Sequence, residues 1–169
     1  EYVTEPEYPN TIRWGKRFPT LVTTRTFSKA YGLAGLRVGY GVSSPAIADI
    51  LNRGRPPFNV NSVALAAATA ALDGDAHVTT AVQANQQGLD QLAGAFTKFG
   101  LKFIPSVGNF VCVDFGRPAA AVYERLLREG IIVRPLANYG MPNHLRVTVG
   151  LPEENERFIK ALEKVIRVS

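Results

Sequence analysis

Short β-branched runs alternate along the chain with longer stretches of helical patterning. Leu21-Val22-Thr23-Thr24-Arg25-Thr26-Phe27 is short and β-branched, which predicts a buried strand. Leu36 to Val42 (LRVGYGV) predicts a second strand. Ser43-Ser44-Pro45 supplies an N-cap and a first-turn proline for a helix through Asn52. Arg53-Gly54-Arg55-Pro56-Pro57-Phe58-Asn59 breaks the chain. A helix follows from Ser62 to Leu72 and ends at Asp73-Gly74; its alanine-rich run from Val63 reads as closely packed. Asp75 can cap a long helix to Phe99, with Gly100 at its C-terminal end. Strands are predicted at Leu101–Ile104, Phe110–Phe115, Ile131–Arg134 and His144–Val149, with a helix at Ala119–Glu129 stopped by Gly130. In the last helix, Glu153–Val168, Phe158, Leu162 and Val165 share a face, with Ile159 and Ile166 beside it. Residues 5–19, with Pro6, Pro9, Asn10 and Pro19, read as a surface connection containing a short helix.

Strands and helices alternate, so the fold class is α/β or α+β. The turn at Asp73-Gly74 divides the chain into residues 1–73 and a compact α/β unit at 74–169. The 169 residues are 46% hydrophobic and 20% charged, enough apolar material for a real core. The net charge of +5 comes from scattered basic residues with no run of five or six like charges, which speaks against nucleic acid. A few arginines committed to small anionic ligands explain the charge equally well. The single cysteine, Cys112, allows no intramolecular disulfide, and His77 and His144 lie far apart with no zinc-binding spacing. A cytoplasmic protein is the simplest reading. No apolar run approaches the ~20 residues needed to span a bilayer, so no membrane partner is expected. The chain opens Glu1-Tyr2-Val3, without methionine, and reads as a piece of a longer protein.

The stretch Ser28-Lys29-Ala30-Tyr31-Gly32-Leu33-Ala34-Gly35-Leu36-Arg37 places two cations in an apolar, glycine-rich setting between the first two predicted strands. A lysine in a dry pocket is available as a neutral amine, which can condense with a carbonyl to form a Schiff base. The Ser28 and Thr26 hydroxyls, the turn N–H groups and the Arg37 fork could hold a phosphate. Lysine plus phosphate cradle suits pyridoxal phosphate. Spacing alone leaves a second reading open, a surface turn carrying a solvated lysine. A Walker-type loop is excluded, because no GxxxxGK[ST] is present.

"TRTFSKAYGLAGLRVGYGV" resembles the lysine segment of fold-type I pyridoxal-phosphate aminotransferases and is most similar to the histidinol-phosphate aminotransferase family. The resemblance continues in order through "RPPFNVNSVALAAATAAL", "GNFVCVDF", "GIIVRPL" and "HLRVTVG" and covers nearly the whole chain. It implies an α/β fold in which residues 1–73 are a remnant of a large pyridoxal-phosphate-binding domain and 74–169 the small C-terminal domain. It implies Lys29 as Schiff-base lysine and proton shuttle, and Ser28, Arg37 and Thr26 as cofactor phosphate ligands. Arg146 would bind the anionic end of the substrate. Arg134 would lie near the substrate phosphate, and Asn109 matches the asparagine of an NF motif. Tyr31 and Tyr40 read as packing residues, Cys112 as a small core residue, His77 as a helix-start residue and His144 as a strand-edge residue.

Members of that family are about twice as long. Upstream of the lysine they carry an Asp-Glu-Ala-Tyr segment whose aspartate pairs with the pyridine nitrogen, and this chain has none of it. The expectation is an inactive piece of an aminotransferase that exchanges an amino group between histidinol phosphate and 2-oxoglutarate. The partners implied are a small-molecule amino donor, a keto acid and a second copy in a homodimer. The same skeleton also suits an aromatic amino acid aminotransferase or a threonine-phosphate decarboxylase. A non-enzymatic basic binding domain is the distant rival, and it would show steeply salt-dependent binding.

Overall fold

The computed structural model describes residues 1–167, so Val168 of the last expected helix lies outside the described residues. The chain forms two compact units, one running from Val3 to Ala81 and the other beginning at Val82.

In the first unit, β1 (Thr23–Thr26) pairs antiparallel with β2 (Gly39–Val42), Thr23 facing Val42 and Thr26 facing Gly39. Both strands are shorter than the β-branched runs that predict them. Ala34–Leu36 forms a 3₁₀ turn and Arg37 takes a left-handed backbone conformation, φ 56°, so regular pairing starts only at Gly39. The Phe27 N–H still reaches the Val38 carbonyl at 3.2 Å. Phe27, Val38, Ala64 and Ala68 are buried together, with Tyr31, Leu33 and Leu36 packed against them. The Tyr31 and Tyr40 rings lie 4.9 Å and 6.1 Å from the Phe27 ring, as packing roles require, though Tyr40 is 47% exposed.

Helix α1 (Pro45–Gly54) follows Ser44, whose side chain makes no capping bond; Pro45, with its fixed φ, sets the start instead. Asn61 does cap α2 (Ser62–Leu72), its Oδ1 accepting from the Ala64 N–H at 2.8 Å. The expectation of close packing along α2 is corrected. Only Ala64 and Ala68, one i,i+4 stripe, are buried, and Val63, Leu65 and Leu72 are each more than half exposed. The expected short helix in the N-terminal connection is a 3₁₀ segment at Thr11–Trp14, capped by Asn10.

The long helix α3 (Asp75–Lys98) leads into the second unit. There β3 (Lys102–Ile104), β4 (Phe110–Asp114), β5 (Arg134–Pro135) and β6 (His144–Thr148) make an antiparallel sheet in the order β3-β4-β6-β5. One face is apolar. Val111 and Val113 of β4 and Leu145 and Val147 of β6 pack on Leu92 and Phe96 of α3. Val122 and Leu126 of α4 (Ala120–Arg128) and Phe158, Leu162 and Val165 of α5 (Pro152–Arg167) complete this core. Leu92, Phe96, Leu126 and Leu162 are fully buried. The period-two alternation therefore sends His144, Arg146 and Thr148, with Phe110, Cys112 and Asp114, to the other face.

The strand expected at Ile131–Arg134 is largely absent. Its side chains alternate, Ile131 and Val133 packing on the core and Ile132 85% exposed, but only Arg134 and Pro135 pair with β6. Gly88 lets α3 come close to the loop after β6: a Cβ there would sit 2.3 Å from Val149 Cγ1 and 2.9 Å from Asn155 Nδ2. Asn155 is buried and closes that loop from both sides, accepting from the Gly150 N–H at 2.9 Å and donating to its carbonyl at 3.1 Å.

Candidate functional site

The candidate residues fall into two groups, one in each unit. The first is the turn between β1 and β2. Its path is set by a tight reverse turn, with the Gly32 N–H donating to the Lys29 carbonyl at 2.8 Å and the Leu33 N–H to the Phe27 carbonyl at 2.9 Å. Gly32 takes φ 71°, a conformation that L side chains rarely adopt. Within the turn the Ser28 N–H donates to Thr26 Oγ1 at 3.1 Å. Arg37 reaches back across the turn, its Nη1 donating to Ser28 Oγ at 3.4 Å and to the Ala34 carbonyl at 2.7 Å. Thr26, Ser28 and Arg37 are thus brought together, and Lys29 follows Ser28 directly.

Two features of this group bear on its chemistry. Arg37 forms no ion pair among the described residues, so its charge is not already spent on a carboxylate. The Lys29 amine makes no hydrogen bond or ion pair among the described residues either. The dry pocket expected around it is not formed by this chain: Lys29 is exposed. The turn offers an uncommitted amine beside two hydroxyls and an uncompensated fork, which fits an aldehyde that also carries a phosphate.

The second group lies on the face of the four-stranded sheet opposite its core. Arg146 of β6 and Arg134 of β5 are directly opposite one another in the ladder. Neither forms an ion pair among the described residues. Arg146 Nε is buried without a hydrogen-bond partner. Its guanidinium lies 5.1 Å from the centre of the Phe110 ring. Arg134 lies 5.9 Å from the Tyr139 ring and donates from Nη2 to the Tyr139 hydroxyl at 3.3 Å. The internal acid that could have satisfied Arg146 is engaged elsewhere. Asp114 Oδ1 accepts from the Gly116 N–H at 2.8 Å, and its Oδ2 lies 4.0 Å from His144 Nε2.

Asn109 sits at the start of β4, where its carbonyl accepts from the Val149 N–H at 2.9 Å and lengthens the β4–β6 ladder. Cys112 is half-buried rather than a core residue, because it alternates onto the arginine face opposite Arg146. Burial pushes its thiol pKa up, and Arg146 pulls the other way. His144 is the first residue of β6, at the strand's edge as expected, and β6 itself lies between β4 and β5. Residue spacing did not single out Phe110 and Tyr139; the only signal for Phe110 was an aromatic residue on the solvent side of an alternating strand. Among the described residues no group of three or more His, Cys, Asp or Glu could hold a metal ion, and no helix is long and apolar enough to cross a membrane.

The chain thus combines a lysine–arginine turn with a sheet face whose two arginines form no ion pair among the described residues. Residues 2–162 match the family described as Aminotransferase class I and II, and the chain belongs to that family. It is 60% identical over 98% of its length to histidinol-phosphate aminotransferase 1 of Nitrosococcus oceani, and 58% identical over 98% to histidinol-phosphate aminotransferase 2 of Pseudomonas fluorescens. The chain spans about 45% of the length of each of these relatives. Among solved structures it resembles the histidinol-phosphate aminotransferase of Sinorhizobium meliloti in complex with pyridoxal-5'-phosphate. The TM-score is 0.82 and the identity 33%, over 89% of this chain and 42% of that one. The fold is that of fold-type I aminotransferases, of which the chain covers about half.

Proposed function

We propose that the protein carrying this chain is a pyridoxal-phosphate-dependent aminotransferase that moves an amino group between histidinol phosphate and 2-oxoglutarate. The observation that carries this reading is the β1–β2 turn, where an uncommitted lysine amine follows a serine already held by an unpaired arginine. The names of the similar proteins supply the substrate. Those proteins are about twice as long, and the activity is assigned to a protein of their length.

Ser28, Arg37 and Thr26 would hold the cofactor phosphate, and Lys29 would hold its aldehyde carbon covalently. When bound, pyridoxal phosphate supplies an electron sink for the charge left as a carbon–hydrogen bond is broken. Lys29 Nζ, released as the amino donor's nitrogen takes its place on that carbon, would serve as the proton carrier, taking a proton from the donor's carbon and later delivering one to the carbon that becomes protonated. Arg146 and Arg134 would orient the substrate by its anionic groups, fixing which hydrogen Nζ meets. Asn109 would order the loop beside them through its backbone bond to Val149. A homodimer in the cytoplasm completes the proposal; the exposed apolar residues Ile50, Leu51, Val63 and Leu65 on α1 and α2 support burial against further protein.

The test is an assay of the full-length protein with histidinol phosphate and with phenylalanine as amino donors, alongside Lys29→Ala. Histidinol phosphate is expected to be used at least about 100-fold better by kcat/KM, because phenylalanine leaves the groups placed for the phosphate without a partner. Lys29→Ala should abolish turnover. Preference for phenylalanine, or activity that survives Lys29→Ala, would refute the assignment.

A further inference from the structure

The assignment of Arg134 and Arg146 to substrate anions leaves a physical question about how these two residues are held. Like charges directly opposite in an antiparallel ladder repel, and here both lack a carboxylate partner. A long cationic side chain with no partner would ordinarily swing free in water and lose rotamer entropy again on every binding event. Each of these two instead rests on an aromatic ring. Phe110 lies under the Arg146 guanidinium at 5.1 Å, and Tyr139 lies 5.9 Å from that of Arg134, with its hydroxyl accepting from Nη2. Phe110 gains little from burial where it stands, since it is 36% exposed on the polar side of β4. Its place in the register, opposite Thr148 and two pairs along from Arg146 on the same face, puts it within reach of the arginine.

We infer that Phe110 and Tyr139 are positioning residues, aromatic props that order the two guanidiniums while leaving most of their N–H donors free for an anionic substrate. The inference rests on the reading of Arg146 and Arg134 as substrate ligands and deepens it. A ring face attracts a guanidinium through its quadrupole but accepts few of its hydrogen bonds, so Phe110 orders Arg146 without consuming a donor, and Tyr139 takes a single one, Nη2, from Arg134. A carboxylate in the same place would order the arginine equally well and occupy the fork. The nearby Asp114, turned to Gly116 and His144, leaves the forks alone. The ligand class is a carboxylate or phosphate ester able to meet two forks.

The experiment uses the full-length protein and glutarate, a non-reacting dicarboxylate, with its Kd measured by calorimetry and KM and kcat for the amino donor measured in parallel. Phe110→Leu is expected to weaken glutarate about 5- to 30-fold, the range of a desolvated cation–π contact, with KM rising by more than kcat falls. Phe110→Tyr should restore binding to within about twofold. Phe110→Glu should weaken it more than Phe110→Leu does. Equal loss in Phe110→Leu and Phe110→Tyr, or no loss in Phe110→Leu, would overturn the inference. If Phe110→Leu does not fold, Tyr139→Leu, at a 61% exposed position, carries the test with an expected loss of about two- to fivefold. Arg146→Gln separates the two levels. If it leaves glutarate binding intact, the anion-binding reading itself fails. If it abolishes binding while Phe110→Leu causes no loss, only the aromatic prop fails.

Discussion

Arg37 bridges the turn between β1 and β2 by donating to the Ser28 hydroxyl at 3.4 Å and to the Ala34 carbonyl at 2.7 Å, and it does so from a left-handed backbone conformation. A non-glycine residue at φ 56° carries strain of about 1 kcal/mol or more, which persists where the surrounding structure holds it. Here the residue that bears the strain is also the cation beside Ser28 and Lys29. Arg37→Gln should keep a hydrogen bond to Ser28 and lose the charge. The expected outcome is cofactor binding weakened by about 10- to 100-fold, the value of a charge-assisted pair. Arg37→Lys should recover only part of it, because an ammonium cannot present a fork. A fluorescence titration of the cofactor-free full-length protein with pyridoxal phosphate measures both.

Gly39 stands against the backbone it pairs with. A Cβ at that position would lie 2.5 Å from the Arg25 carbonyl oxygen and 3.4 Å from Thr26 Cα, neither of which can rotate away. Gly39→Ala therefore has to spread the β1–β2 ladder at the end that carries the lysine turn. An overpacked site of this kind costs about 1–3 kcal/mol. Gly35→Ala in the same turn meets nothing within 4 Å and should be close to neutral. Urea unfolding midpoints of the two variants compare them directly, and equal midpoints would contradict the close approach.

The second unit was largely legible because its signals are periodic. Phe158, Leu162 and Val165 announce the buried stripe of α5 by their spacing. The alternation of Leu145 and Val147 with Arg146 announces a sheet with one apolar face. The lysine turn was legible as a motif and not as a shape. A left-handed Arg37 cannot be foreseen from composition, because arginine has no preference for that region. The packing of α2 was misread for a related reason. Alanine and valine count alike as apolar in a pattern, but whether a helix face is covered is decided by the rest of the fold, and only the Ala64–Ala68 stripe is. The aromatic props were not legible at all: the contact between Arg146 and Phe110 depends on the register of β4 against β6, a long-range quantity absent from either strand's own sequence.

The core of the second unit gives a stability prediction independent of function. Leu126 of α4 and Leu162 of α5 are fully buried in one cluster with Val113 and Leu145. Truncating either to alanine removes apolar contact and leaves a cavity, at a cost of about 2–5 kcal/mol. Leu65→Ala on the exposed side of α2 should change stability by less than about 0.5 kcal/mol in these 169 residues alone. Thermal unfolding of the 169-residue chain distinguishes them. The same preparation should bind an apolar dye strongly through the uncovered faces of α1 and α2, and the absence of dye binding would show that those faces are covered.

Cys112 links the arginine face to pH. Burial raises its thiol pKa above the ordinary value, and the neighbouring Arg146 lowers it by a smaller amount. In the folded protein the thiol therefore ionises later than in the unfolded chain. Its contribution to stability is complete below the unfolded pKa and is lost as the pH rises through the folded one. Alkylation requires the thiolate, so iodoacetamide should react with native protein at a midpoint shifted to higher pH than with urea-unfolded protein. Removing the guanidinium removes this opposing influence: Arg146→Gln should move the native midpoint higher still. A midpoint that falls in Arg146→Gln, or that matches the unfolded chain, would mean that Arg146 does not stand beside the thiol across the β4–β6 pair.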